Sequence, residues 1–351
     1  MGPRADSHDD VYDRQIRLWG ADAQKRMSNA RVLYINLTGV TCEIMKNLVL
    51  AGVAAVVCDD RPYPEAVREM PCSFFRAEDM EKAMSSENDD KEGGGAEPDA
   101  KRAKKTTTTV ASAIQLKVEE LNPLLSGRNS IEERPVASLP DDFFVQFDAV
   151  VASRLTVAEA KRISLSLQKS KEGKLFIVAD TFGFDGCAHL DFGNSHTYRR
   201  EIGKDKLSDL LKIEPHTTMS DMLDVPLAGV KGRWDKVVPR TLVLQRFLMD
   251  YWGQNKNGQG KQKKEFVDFA NDWLSSNKLS NDGDSSESLD LVQLANIAQH
   301  PEVSPVCAVL GGLLGNEVIK ALTGKGEPAN NVMLFNGLDG GCRIFSLNGE
   351  N

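Results

Sequence analysis

Two hydrophobic periods run through the first half of the chain. In "VYDRQIRLWGADAQKRMSN" the apolar positions Tyr12, Ile16 and Trp19 recur at helical spacing, and Gly20 interrupts the pattern. This predicts two short helices. "RVLYI" and "AAVVCDD" are short apolar runs that predict strands, and "CEIMKNLVLAG" between them predicts a helix, giving one βαβ unit that ends near Asp59. The alternation continues through a helix "VASAIQLKVEELNP", a strand "FDAVVAS", a helix from Val157 to Lys169 and a strand "KLFIVAD". "GCAHLDFG" then alternates polar and apolar, as an antiparallel strand does. The end of the chain returns to order with a helix "SPVCAVLGGLLGNEVIKALTG" and strand-like "NNVMLFNG" and "CRIFSL". Alternating strands and helices predict an α/β fold with a mostly parallel sheet and helices on both faces.

Two stretches leave this pattern. Residues 77–108 run acidic, then glycine-rich, then basic, with almost no large apolar side chains. Such a segment cannot offset its own ordering entropy, so it is expected to be a disordered insert. Residues 196–300 are polar and are expected to be mostly helical. The predicted organisation is a disordered tail over 1–10, the first part of the fold over 11–195, this middle region, and a closing helix and strands over 301–351.

Composition narrows the function. Hydrophobic residues make up 41% and charged residues 27% of the 351, as in a soluble globular protein. The net charge of −8 does not suit a surface built to neutralise nucleic-acid phosphates. No apolar run is read as long enough to span a bilayer, and the polar "MGPRADSHDD" is not read as a secretory signal. The six cysteines are scattered, with no C-x-x-C pair, so reduced buried thiols are expected and a metal site is not.

The chemistry concentrates at "INLTGVTCEI", residues 35–44, between the first predicted strand and its helix. A nucleotide-binding α/β protein puts its glycine-rich turn there. Only Gly39 is present. An oxidoreductase reading needs an intact G-x-G-x-x-G, which "NLTGVT" does not supply.

The chain resembles the ThiF-type, Rossmann-like adenylating fold of ubiquitin-like-protein activating enzymes. Within that family it is most similar to the smaller, non-adenylating subunits of SUMO-activating enzymes. The resemblance rests on "YDRQIRLWGADAQKRM", "NARVLYINLTGVTCEIMKNLVLAGV", "FFVQFDAVV", "DTFGFDG" and "SPVCAVLGGLLGNEVIKAL…NNVMLFNG", in order from about residue 11 to 338. It implies that an adenylating subunit would carry four glycines, as G-x-G-G-x-G, where this chain has Asn36, Thr38, Gly39 and Thr41. The turn then reads as a degenerate site. Asp59 could still meet a ribose, but Arg61 stands where active members have a second acid. No cysteine sits in a setting that suggests a thioester nucleophile.

The resemblance further implies a heterodimer, inactive as one chain, that activates a modifier for sumoylation. The larger partner would bind ATP and magnesium and form the adenylate and the thioester. An arginine from one protomer's N-terminal helix reaches the other protomer's ATP in this family, which places that role on Arg14; Arg17, three residues on, could share its face. The basic cluster Lys101, Arg102, Lys104 and Lys105 is similar to a nuclear import signal, so a nuclear protein with some cytoplasmic presence is expected. Two alternatives stay open: the equivalent subunit for the cullin modifier, and a scaffold without a catalytic group. Gly311, Gly312 and Gly315 on the last helix suggest close backbone approach, either within the subunit or across an interface.

Overall fold

The computed structural model describes residues 11–63, 66, 108–203, 206–214, 216–224, 237–251, 262–277, 290–298 and 302–347. The tail over 1–10, nearly all of the insert over 77–108 and the basic cluster lie outside these residues. In chain order the elements are α1 (Asp13–Trp19), α2 (Ala21–Asn29), β1 (Arg31–Ile35), α3 (Gly39–Leu50), β2 (Ala54–Cys58), α4 (Val110–Leu121), β3 (Ser130–Glu132), α5 (Asp141–Phe144), β4 (Ala149–Ala152), α6 (Val157–Leu167), β5 (Leu175–Phe182) and β6 (Asp185–Asp191). Short strands β7 (Thr197–Tyr198), β8 (Glu201–Gly203), β9 (Lys206–Leu207) and β10 (Leu211–Lys212) follow. Then come α7 (Met219–Asp224), α8 (Val237–Tyr251), α9 (Gln262–Ser276), α10 (Leu291–Ile297), α11 (Ser304–Thr323), β11 (Val332–Asn336) and β12 (Gly341–Phe345).

Eight strands form the main sheet in the order β12-β11-β6-β5-β4-β1-β2-β3. From β5 to β3 every pairing is parallel; β6, β11 and β12 are added antiparallel. This is the Rossmann-like α/β arrangement the sequence pattern predicts. Ile35, the last residue of β1, lies opposite Cys58 on β2 and Ala152 on β4. Chain order reverses across β1, so the loops after β1 and β4 flank the switch point where such sheets place their ligands.

Each strand feeds two cores. Val32 and Tyr34 point to one face, with Ile44, Leu48, Ile114, Leu310 and Leu314 of α3, α4 and α11. Leu33 and Ile35 point to the other, with Ile163, Val243, Phe247, Phe266 and Leu294 of α6, α8, α9 and α10. The middle region is therefore more than a polar appendage. It opens with two pairs of short strands, β7 with β10 and β8 with β9, and its helices then cover the second face of the sheet. The polar outer faces of α9 and α10 dilute the average and hide their apolar stripes, whereas α8 is buried over most of its surface from Thr241 to Met249.

Helix α11 also corrects a reading of the sequence. Ser304–Thr323 does have the length and mean hydropathy of a bilayer span. Here it is a core helix, packed on α3 and on β5 and β6. A Cβ on Gly311 would stand 2.5 Å from the Glu43 Cβ and 3.2 Å from the Val40 carbonyl oxygen. Gly311 therefore serves a helix crossing inside this chain, whereas a Cβ on Gly312 would meet nothing within 4 Å. Gly311→Ala is expected to lower the thermal midpoint through overpacking of about 1–3 kcal/mol. Gly312→Ala is expected to raise the stability by up to about 1 kcal/mol through helix propensity. Equal shifts of the same sign would contradict this assignment of the two glycines.

Two histidines set a pH dependence. Burial pushes His189 and His196 down to about 4. An unfolded histidine titrates near 6.5. Their neutral forms are fully present in both states above that value, and the unfolded chain gains protons first as pH falls. Their contribution is lost between pH 6.5 and about 4. Urea midpoints should fall less between pH 7 and 5 in a His189→Gln/His196→Gln variant than in the parent; identical slopes would refute the assignment.

Candidate functional site: a closed nucleotide turn and an exposed arginine

The β1–α3 turn sits at the switch point, and each backbone donor from Asn36 to Gly39 already has an acceptor. Asn36 N–H donates to the Cys58 carbonyl at 3.0 Å. Leu37 N–H donates to Asp59 Oδ2 at 2.8 Å, and Thr38 N–H to Thr41 Oγ1 at 2.8 Å. Thr38 and Thr41 thus form a capping box at the start of α3. Gly39 N–H donates to Glu302 Oε2 at 2.5 Å. Asn36 holds a left-handed conformation at φ 55°, and its side-chain amide donates to the Arg154 carbonyl at 3.3 Å, across the switch point. Asparagine tolerates that backbone better than most residues, so the turn keeps its shape without a glycine at that place.

Asp59 is fully buried, and its carboxylate also accepts from Arg61 at 2.6 Å. The same guanidinium donates to the Leu37 carbonyl at 2.5 Å. The acid that the sequence leaves open for a ribose is thus committed to the turn itself.

Glu302, Arg154, Thr181 and Asp180 complete the arrangement, and the sequence alone did not point to them. Thr181 Oγ1 donates to Glu302 Oε1 at 2.6 Å, so both oxygens of this carboxylate are acceptors. Burial, with the nearby Asp180 carboxylate, leaves the Glu302 pKa above the usual carboxylate range, and the Arg154 charge and the bonds from Thr181 and Gly39 pull it back only in part. Asp180, also buried, accepts from Ser153 Oγ at 2.8 Å and from Arg154 N–H at 3.0 Å. Glu302 is 263 residues from Gly39 in sequence. The only local hint is an acid placed just before the Ser-Pro that opens α11.

Arg14 lies elsewhere, on the N-terminal helix. Tyr12 is buried, and its hydroxyl accepts from Asn122 Nδ2 at 2.7 Å. Trp19 is partly buried, and its carbonyl accepts from Lys325 Nζ at 2.5 Å. These contacts fix α1 to the body and leave its other face to solvent. Arg14 is exposed and makes no ion pair with any described residue. Leu18, one turn on, is 71% exposed. Arg17 differs: it closes on Asp13 of its own helix at 2.9 Å. Nothing brings Arg14 to this chain's own turn. The import-like cluster Lys101, Arg102, Lys104 and Lys105 lies outside the described residues. Among the described residues no group of histidines, cysteines and acids is arranged to hold a metal.

No protein-family model matches the chain. Curated relatives do. It is 31% identical to SUMO-activating enzyme subunit 1 of Danio rerio, over 94% of this chain and 92% of that protein. It is 30% identical to SUMO-activating enzyme subunit 1A of Arabidopsis thaliana, again over 94% and 92%. With the Homo sapiens subunit 1 the identity is 27% over the same shares. The alignments run through nearly the whole of each chain, and the chain belongs to the SUMO-activating enzyme subunit 1 family.

Proposed function

We propose that this chain is the non-adenylating half of a heterodimeric SUMO-activating enzyme. It assembles with a larger subunit that binds ATP and magnesium, adenylates the modifier's C-terminal carboxylate and passes it to a thioester. The observation that carries this reading is the closed turn. A phosphate needs free N–H groups at a helix N-terminus, and from Asn36 to Gly39 they are taken by Cys58, Asp59, Thr41 and Glu302.

The chain's chemical contribution is then made in trans. Attack of the modifier carboxylate on the α-phosphate, with pyrophosphate leaving, concentrates negative charge on the phosphates. A planar guanidinium held there stabilises that charge. Arg14 suits this role because it is exposed, stands on a helix anchored by Tyr12 and Trp19, and neighbours exposed Leu18. Arg17 is engaged by Asp13. The cluster Lys101 to Lys105 serves nuclear import in this reading, with part of the protein cytoplasmic.

Arg14→Ala should leave the heterodimer intact and slow ATP–pyrophosphate exchange by the reconstituted complex roughly 10-fold to 10³-fold, less than the largest arginine-finger effects in phosphoryl transfer. Arg14→Lys should recover part of the rate, because an ammonium lacks the two-pronged geometry. Arg17→Ala should do less than either. Exchange at the parent rate by the Arg14→Ala complex would move the chain to a scaffold role.

A further inference from the structure

Glu302 has no part in the reaction proposed above, yet it is buried at the switch point with a donor on each carboxylate oxygen. The first N–H groups of an α-helix have no partner within the helix, and the helix dipole makes that end a seat for an anion. In α3 this end is buried: Thr38 and Thr41 are 2% and 0% exposed. An acceptor must therefore come from the protein. Thr41 is spent on Thr38 and Asp59 on Leu37. The acceptor for Gly39 comes from Glu302, itself 5% exposed.

We propose that Glu302 is a built-in anion: its carboxylate takes the seat at the α3 N-terminus that a ligand phosphate takes in an open turn, and it thereby pins the start of α11 to the switch point. Three segments meet on it. Gly39 of the turn and Thr181 of β5 each donate to one oxygen. The Glu302 backbone forms a parallel bridge with Gly183, just after β5. Two residues later α11 begins, and it crosses α3 at Gly311. A ligand would hold these segments only while bound; a side chain holds them permanently. This role does not depend on Arg14 or on the modifier, so an unchanged exchange rate in an Arg14 variant leaves it standing.

Two measurements on the full chain test it. In a spectrum of chain labelled with [15N]glycine, Glu302→Gln should move the Gly39 amide proton upfield, because the bond loses its charged acceptor. A Gly39 resonance that does not move would overturn the proposal. Glu302→Ala should lower the folded-to-unfolded ratio at pH 7 by roughly 10-fold or more, the scale of a hydrogen bond to a charged group. It should also leave a space for a small carboxylate. Sodium acetate, compared with sodium chloride at equal ionic strength, should then raise the urea midpoint of Glu302→Ala while leaving the parent and Glu302→Gln unmoved. A midpoint of Glu302→Ala equal to the parent's, or one indifferent to acetate, would contradict the built-in anion; if that variant does not fold, the Gly39 resonance in Glu302→Gln decides.

Discussion

The hydrogen bond from Gly39 N–H to the Glu302 carboxylate is the constraint on which the centre of this protein rests. A Rossmann-like sheet delivers a helix N-terminus to its switch point whether or not a ligand arrives. If that end is buried, its donors must be satisfied, since an unpaired buried N–H costs about 1–3 kcal/mol. In an open turn, ligand and water satisfy them. Here side chains do so, one from the helix itself and two from elsewhere in the sequence. Asp59 is carried by β2, Thr41 by the helix itself and Glu302 by the approach to α11. Arg61 then neutralises Asp59 and closes the loop onto the Leu37 carbonyl.

In the function proposed above, closure of the turn and exposure of Arg14 belong to one division of labour. A chain relieved of its own phosphate site can keep the fold for its shape. What it offers outward is a rigid N-terminal helix, tied down through Tyr12 to Asn122 and through Trp19 to Lys325, with Arg14 and Leu18 facing solvent. Arg17, four residues from Asp13, is held within the helix by a surface pair, the kind worth only tenths of a kcal/mol.

Much of this was legible in the sequence because it is local. Tyr12 and Trp19 of the apolar spacing gave the anchored face of α1, and "RVLYI" with "AAVVCDD" gave the first two strands of the sheet. The resemblance to adenylating subunits, which carry four glycines there, singled out the turn. The means of its closure was not legible: Glu302 and Thr181 meet Gly39 only through the folded topology, and neither belongs to a local pattern. The helical layer from α8 to α10 was under-read for a related reason. In α9 the buried Phe266, Ala270 and Leu274 form one stripe on an otherwise polar helix, whereas α8 carries Leu242, Val243, Leu244, Phe247, Leu248 and Met249 all buried, an apolar run that sits between polar stretches in the sequence. The apolar run of α11 is ambiguous in a different way: its length and hydropathy fit a bilayer, and its packing on α3 marks it as core.

The central claim is that this chain keeps the nucleotide-binding architecture with its phosphate donors consumed, and acts on a nucleotide held by its partner. Calorimetric titration of Mg-ATP into the purified chain, and then into the one-to-one complex, tests it most directly. The account predicts no saturable binding to the chain alone and a single ATP per complex. Tight binding to the isolated chain, or two equivalents per complex, would contradict it.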